Sequence, residues 1–251
     1  MNPLSTRRLI LLGVAVFLAG LLLLAPAATL KGWFTPKDKP VPFQSFGLEG
    51  PLAQGALAGL QVNNRPTLGQ LRWNLQPLWL LLGRLSFHVE GGEQMTVNGS
   101  VSFSPLGTLR LRNFLAAGSV KPVLAAVGQA FLPVEGQARL DFKGLQAAKG
   151  QLQDVEGVIE MQGLAWTLAR EPIVLGDYRA ELSTEKNEHL IKLESVSGPL
   201  ELSGSGKLGE DQVYEFEIKL RPKPEASPML RNLVNSSGQP DPQGYYHVRK
   251  S

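Results

Sequence analysis

The chain has 251 residues, of which 43% are hydrophobic and 19% are charged, with 27 Gly, 18 Pro and no Cys. This composition is too apolar for a disordered chain, and the absence of Cys excludes disulfide scaffolds, thiolate metal sites and cysteine nucleophiles. The Gly and Pro content favours many turns over long helices. The net charge of +3 says something about binding partners only when the positions of the charged residues are considered.

An apolar segment lies near the N-terminus. Residues 9–30 carry no charge, and 18 of these 22 residues are hydrophobic. As a helix the segment would be about 33 Å long, which is enough to cross a hydrocarbon core of about 30 Å. Arg7 and Arg8 precede it, which favours residues 1–8 in the cytoplasm and the following domain outside. We therefore predict a transmembrane anchor over residues 9–30.

The alternative is a cleaved signal peptide, because Ala25-Pro26-Ala27 loosely matches a small-residue cleavage site. The proline within that site and the length of the apolar run favour the uncleaved anchor. Under both interpretations the rest of the chain is exported. The exported part holds 23 basic and 22 acidic side chains, because Arg7 and Arg8 are not part of it. A nearly neutral domain has no electrostatic basis for binding nucleic acid.

Residues 31–42 are rich in Pro and Lys and are predicted to be a linker. Residues 43–251 are predicted to form a periplasmic β domain, because apolar and polar residues alternate in most of its segments. With turn residues between the segments, this pattern predicts a meandering antiparallel sheet. Short helices are predicted only at 77–83, 119–128 and 224–235. Clear alternation occurs at Met95, Val97, Val101 and Phe103, at Ala138, Leu140 and Phe142, at Tyr178, Ala180 and Leu182, and at Tyr214, Phe216, Ile218 and Leu220.

One motif occurs twice, 93 residues apart. Leu71-Arg72-Trp73-Asn74-Leu75 recurs as Leu164-Ala165-Trp166-Thr167-Leu168, and a Leu-Gly pair follows each Trp at the same spacing. The repeat predicts one continuous sheet built from two related halves, about 43–150 and 151–251, in which each half completes the core of the other.

The sequence offers no site for catalysis, a cofactor or a metal ion, so we predict that the chain is not an enzyme. His88, His189 and His247 lack metal-ligand spacing and are expected at the surface. The Ser203-Gly204-Ser205-Gly206 cluster lacks the strand-to-helix context of a serine nucleophile, although small residues there would allow another backbone or a ligand to approach closely. Phosphate-binding glycine motifs are absent.

Three tryptophans are the candidate contacts for a partner or ligand. Trp73 and Trp166 occupy equivalent strand positions, where core packing is the first interpretation and ligand stacking the second. Trp79 follows Pro77 in a short apolar turn. It is predicted to lie either on the core or in an exposed patch that a partner uses.

In order along the chain, several segments resemble the type II secretion system protein N family. The most specific is the stretch from Leu71 to Leu85, which includes Leu71-Arg72-Trp73-Asn74-Leu75-Gln76-Pro77. Weaker matches are residues 50–60, 163–166, 198–204, 220–222 and 241–245. The resemblance covers nearly the whole chain, and the order of the motifs makes it specific.

The resemblance implies a single-pass inner-membrane protein with a periplasmic domain, acting as an accessory scaffold in the export of folded proteins across the outer membrane. Its implied partners are other type II secretion system proteins, and it implies no catalytic residues. The family is distantly similar to AsmA-like proteins, which have long curved sheets. That similarity implies an extended curved antiparallel sheet and an alternative function as a periplasmic lipid-binding or lipid-transfer module. A continuous open apolar groove would favour lipid, whereas a filled core with an exposed apolar edge would favour protein partners.

Overall fold

The computed structural model of the chain describes residues 43–62, 65–126, 128–148, 151–168, 171–186, 188–209, 214–236 and 238–250, together with Gly20 and Pro26. The predicted cytoplasmic segment 1–8, anchor 9–30 and linker 31–42 therefore lie outside the described residues, apart from those two positions. None of the helices in the described ranges is long and apolar enough to span a bilayer.

The described residues form one antiparallel sheet, which confirms the predicted mainly β fold. Neighbouring strands in the sheet follow the order of the chain, except that β3 pairs only with β2. The strands are β1 (Phe43–Glu49), β2 (Gln54–Val62), β3 (Arg65–Leu68), β4 (Leu71–Leu75), β5 (Leu85–Gly91), β6 (Met95–Phe103), β7 (Thr108–Ser119), β8 (Val134–Ala148), β9 (Gln151–Trp166), β10 (Ile173–Glu185), β11 (Glu188–Ser197), β12 (Leu200–Leu208), β13 (Tyr214–Pro222) and β14 (Tyr246–Lys250).

The predicted alternation places apolar side chains on one face of this sheet, which we call the inner face. On β8, Val134, Ala138 and Phe142 are buried, whereas Glu135 and Arg139 between them are exposed. Residues that lie directly opposite each other in an antiparallel pair share a face. The register therefore extends the inner face from strand to strand across the whole sheet.

Two short helices and β3 cover one end of the inner face. Helix α1 (Lys121–Ala126) follows β7, and helix α2 (Pro228–Asn235) follows β13. Ser227 caps α2 by accepting a hydrogen bond from the Leu230 N–H at 3.2 Å, and Pro228 occupies the first turn, where a missing N–H costs nothing. Helix α1 contacts β2, β3 and β8, and α2 contacts β10 and β13.

These contacts require a strongly curved sheet. Five inter-strand steps separate β2 from β8 in the sheet, which would be about 24 Å in a flat sheet. Helix α1 has only six residues and is therefore about 9 Å long. The sheet has to curl around the helix for both strands to reach it.

The buried residues form two clusters at this covered end. The first joins the inner face of β2 to β10 with α1, and the second joins β10, β12 and β14 with α2. Trp166 and Leu175 pack against both clusters. The buried members of the first are Leu57, Leu71, Met95, Val97, Ala116, Val120, Val134, Ala138, Leu164 and Tyr178; those of the second are Ile173, Leu200, Ala226, Leu230, Val234 and Tyr246.

A 3-10 helix, Pro77–Leu82, packs on the opposite, outer face at the other end of the sheet. It joins β4 to β5 and ends at Gly83, which has a φ of 65°. Beneath it, Ser86 and Ser102 are buried although they point away from the inner face. Ser102 donates to Ser86 at 2.9 Å, and Ser86 donates to the side-chain oxygen of Gln76 at 2.8 Å. These hydrogen bonds hold the 3-10 helix against the sheet.

His189 corrects the expectation that the three histidines lie at the surface, because it is only 6% exposed. The backbone pairing between β9 and β10 ends at the pair Leu182–Gly157. Beyond that pair, hydrogen bonds to side chains take the place of backbone pairing. The Val155 N–H donates to Thr184 Oγ1 at 2.8 Å, and Thr184 Oγ1 lies 2.9 Å from His189 Nδ1. His189 Nε2 lies 3.1 Å from the Leu152 carbonyl oxygen. His189 thus fills a gap in the ladder.

The repeated motif lies in two different settings. Trp73 is in β4 and Trp166 is in β9, and both are half-buried against the first cluster. Gly83, however, ends the 3-10 helix, whereas Gly176 lies inside β10 at a register shift. The hairpin of β8 and β9 spans the predicted boundary at residue 150, and the first cluster continues across it. A duplication into halves stays a prediction.

The second cluster yields a stability prediction. Leu230 is fully buried, so Leu230→Ala leaves a cavity and should lower the free energy of unfolding by about 2–5 kcal/mol. The neighbouring Met229 is 51% exposed, and Met229→Ala should change it by less than about 0.5 kcal/mol. Urea titration followed by circular dichroism measures both. Equal losses in the two variants would contradict the placement of α2.

The hydrogen bonds at His189 yield a second prediction. Thr184→Val removes the acceptor of the Val155 N–H and should cost about 1–3 kcal/mol, whereas Thr184→Ser should restore most of the loss. The control is Thr96→Val, because Thr96 donates to the Ala117 carbonyl at an exposed position, where the expected cost is below about 0.5 kcal/mol. The same titration applies. A Ser variant as unstable as the Val variant would count against the hydroxyl role.

Candidate interaction surfaces

The three candidate tryptophans do not form one site. Trp73 and Trp166 both pack against the first cluster on the inner face, whereas Trp79 belongs to the 3-10 helix on the outer face. The Trp73 indole N–H donates to the Leu52 carbonyl at 3.1 Å. A Cβ atom added at Gly55 would lie 2.2 Å from the Trp73 ring, so the ring fills the space that this glycine leaves.

Trp166 lies where the two clusters meet. It pairs with Val134 of β8 and with Ile173 of β10, and it packs against both clusters. Core packing accounts for the contacts of both Trp73 and Trp166. A contact of either ring with a partner or ligand stays a prediction.

Trp79 has a different environment. The guanidinium carbon of Arg112 lies 4.8 Å from the centre of the Trp79 ring, within the range of a cation–π interaction. Leu78 and Leu82 on the same 3-10 helix are 77% and 66% exposed. Trp79 therefore sits in an exposed apolar surface with a cation beside it.

Strand β14 is an open edge of the sheet. Among the described residues, β13 is its only paired neighbour, through Phe216–Leu220 on that strand. The backbone groups on the other side of an edge strand are free to pair with a further strand. Strand β1 is the edge at the other end of the sheet and pairs only with β2 in the same part of the chain.

Charged side chains on the outer face hold β14 in place. Arg249 donates to Glu217 through Nε at 3.0 Å and through the terminal nitrogen at 2.6 Å. His247 Nε2 lies 2.8 Å from the Asp241 carboxylate, and Nδ1 lies 3.3 Å from that of Glu217. The pKa of Glu217 is lowered mainly by its hydrogen bonds with Arg249 and, second, by that with His247. The pKa of Asp241 is lowered mainly by its hydrogen bond with His247. The edge is thus held in extended form.

The inner face next to this edge is apolar and only partly covered. Val248 of β14 lies opposite Ile218, and Ile218 lies opposite Gly204. Val248 is 37% exposed, and Ile191 on β11 is 45% exposed. Gly204 and Gly206 have no side chains, so the surface between Ile191 and Val248 is flat. We call Ile191, Gly204, Gly206, Ile218 and Val248 the edge strip.

A groove of about 590 Å³ lies at the covered end of the sheet, beside α1. Apolar side chains and one ion pair line it: Lys121 donates to Glu135 at 2.8 Å. Phe131 on its wall is 70% exposed, and Leu168, which follows the lining residue Thr167, is 74% exposed. The groove is a second surface with exposed apolar side chains.

Sequence reasoning missed the edge strip and the partner of Trp79. Alternation places Ile218 on the apolar side of its strand, but it cannot show that α2 leaves Ile218 and Val248 uncovered. Arg112 and Trp79 are 33 residues apart in sequence and meet only because β5, β6 and β7 are neighbours. No group of three or more His, Asp or Glu side chains in the described ranges is placed to hold a metal ion.

Comparison with known proteins identifies a matching family and a similar protein. The family model described as "Type II secretion system (T2SS), protein N" matches residues 44–249. A protein named "Type II secretion system protein N" from Aeromonas hydrophila is 26% identical over 236 residues, which cover 92% of each chain. No solved structure matches.

The family match spans β1 to β14 and includes the edge strip and all three candidate tryptophans. This confirms the resemblance that the ordered motifs indicate. The chain belongs to the type II secretion system protein N family.

Proposed function

We propose that the chain is an accessory component of the type II secretion system that docks another component of the system at strand β14. In this proposal residues 9–30 anchor it in the inner membrane, and residues 43–251 form a periplasmic scaffold domain. No catalytic role is part of the proposal. Membership of the family supports a place in the secretion system, and the apolar segment after Arg7 and Arg8 supports the anchor and its orientation.

One observation carries the docking proposal: an edge strand that is both open and held in place. Strand addition needs free backbone donors and acceptors on an extended strand, and it gains specificity from side-chain pockets beside that strand. Strand β14 offers the first, and the edge strip offers an exposed apolar surface next to it that side chains of the partner can cover. The ion pairs of Arg249 and His247 lie on the outer face, so they leave the inner face open to apolar side chains of the partner.

The inner face favours a protein partner over the alternative of lipid binding. A lipid carrier needs a continuous open apolar groove along the sheet. Here α1, α2, β3 and two buried clusters fill one end of that face. The open part of the inner face is therefore shorter than the sheet, and at the edge strip it lies next to an open strand, which fits a docked strand better than acyl chains.

We expect Val248→Lys to weaken the association with other secretion components. A lysine in the edge strip would place an ammonium group against the apolar face of the partner, and a loss of about 1.4 kcal/mol already lowers binding tenfold. The tagged full-length chain is purified from detergent-solubilised membranes of cells that assemble the system, and co-purifying secretion proteins are quantified by mass spectrometry.

Val196→Lys is the matched control. Val196 is 65% exposed and lies on β11, away from the sheet edges. We expect it to retain the wild-type recovery, and both variants to melt within about 3 °C of the wild-type protein. Equal recovery with the two lysine variants would contradict docking at β14, and the absence of secretion proteins from the wild-type sample would contradict the function itself.

A further inference from the structure

The outer face around the 3-10 helix combines exposed apolar side chains with unpaired positive charge. Leu78 and Leu82 are 77% and 66% exposed, and Trp79 lies between them. On the strands beside them, Arg110 and Arg112 point to the same outer face, since they lie opposite Ser102 and Ser100. We call Leu78, Trp79, Leu82, Arg84, Arg110 and Arg112 the basic apolar patch.

The three arginines of this patch have no carboxylate partner among the described residues. Arg110 donates to the Gln146 side-chain oxygen at 2.7 Å, and Arg112 lies over Trp79. In contrast, Arg179, Arg221 and Arg249 each form an ion pair with a glutamate. Burial of the guanidinium lowers the pKa of Arg110, and the nearby positive charges of Arg84 and Arg112 lower it further. The patch therefore holds three positive charges that lie close enough to repel one another.

The apolar part of the patch is held rigidly. Gly83 closes the 3-10 helix with its N–H on the Leu80 carbonyl at 2.9 Å, and the Arg84 N–H donates to the Trp79 carbonyl at 3.0 Å. Gln76 ties the start of the helix to the sheet, since its side-chain nitrogen donates to Ser100 at 3.2 Å. The backbone that carries the exposed leucines therefore needs little further ordering when another surface covers them.

The patch lies at the same end of the sheet as Pro26, a described residue near the end of the apolar segment 9–30. Pro26, within the segment 9–30, forms an isolated antiparallel bridge with Pro51, in the turn between β1 and β2. The Leu75 N–H donates to the Ala53 carbonyl at 2.7 Å. Two residues after Leu75 the 3-10 helix begins, so the chain at Pro26 and the basic apolar patch share one end of the molecule.

From these observations we infer that the basic apolar patch rests on the surface of the membrane and binds anionic lipid head groups. Arginines pair with phosphate oxygens, and Trp and Leu side chains insert at the level of the head groups. Three cations near an anionic surface give a substantial, salt-sensitive attraction. This inference rests on the proposed function: the anchor proposed there, to which Pro26 belongs, would hold the patch against the bilayer at high effective concentration. This contact fixes the tilt of the domain and leaves β14 free.

The absence of cysteine makes the inference directly testable. Leu82→Cys places a single thiol in the patch, which we call the patch thiol. Leu168→Cys places the control thiol at an equally exposed position at the opposite, covered end of the sheet. Each full-length variant is reconstituted into nanodiscs of phosphatidylcholine alone or of equal parts of phosphatidylcholine and phosphatidylglycerol. The rate of reaction with a charged, membrane-impermeant maleimide is measured in both.

We expect the patch thiol to react about tenfold or more slowly in the anionic nanodiscs than in the neutral ones, and the control thiol to react at the same rate in both. Raising the salt concentration, or adding Arg84→Gln, Arg110→Gln and Arg112→Gln together, should restore the rate at the patch thiol. Equal rates at the patch thiol in the two lipids would overturn the inference and would leave docking at β14 unaffected. Protection that appears only when other secretion proteins are added would also overturn it, and would indicate an acidic protein surface instead.

Discussion

Burial of one face of a single curved sheet is the constraint on which the rest of this structure depends. A meandering sheet of this length presents a continuous apolar face, and the described part of the chain contains no second sheet to cover it. Two helices and β3 cover this face instead, at one end only. Because β2 and β8 both contact α1, the sheet has to curl at that end. Two surfaces are therefore left open. The edge strip is not covered by α2, and the basic apolar patch lies on the outer face at the other end.

This arrangement separates stability from interaction. Residues that hold the fold, such as Leu230 and Tyr178, lie at the covered end; burial raises the pKa of the Tyr178 hydroxyl, which donates to the Leu175 carbonyl at 2.8 Å. The residues proposed to meet other molecules lie on surfaces that contribute little to the core. A domain of this kind can dock one partner at β14 while its outer face rests on a membrane, because the two surfaces do not overlap.

Many strands and the places of the short helices could be predicted from the sequence because their signals are local. Alternation in β8 and β13 and the Pro and Gly that bound the 3-10 helix act within a few residues. The predicted helix 224–235 begins four residues too early, because Ser227 caps α2 and Pro228 opens it. The burial of His189 and the stacking of Arg112 on Trp79 could not be predicted, because each depends on where the ladder ends or which strands are neighbours. Edge strands raise the same difficulty: the sequence of β14 resembles that of any short strand, and only the sheet order shows that one side is open.

Docking at β14 can be measured by hydrogen–deuterium exchange on the full-length chain, alone in detergent and within the assembled secretion system. We expect slow exchange in β8, β9 and β10 in both samples, since these strands have neighbours on both sides and a core on their inner face. We expect faster exchange in β14 of the isolated chain and strong protection of β14 after assembly. Unchanged exchange in β14 between the two samples would contradict docking at this edge.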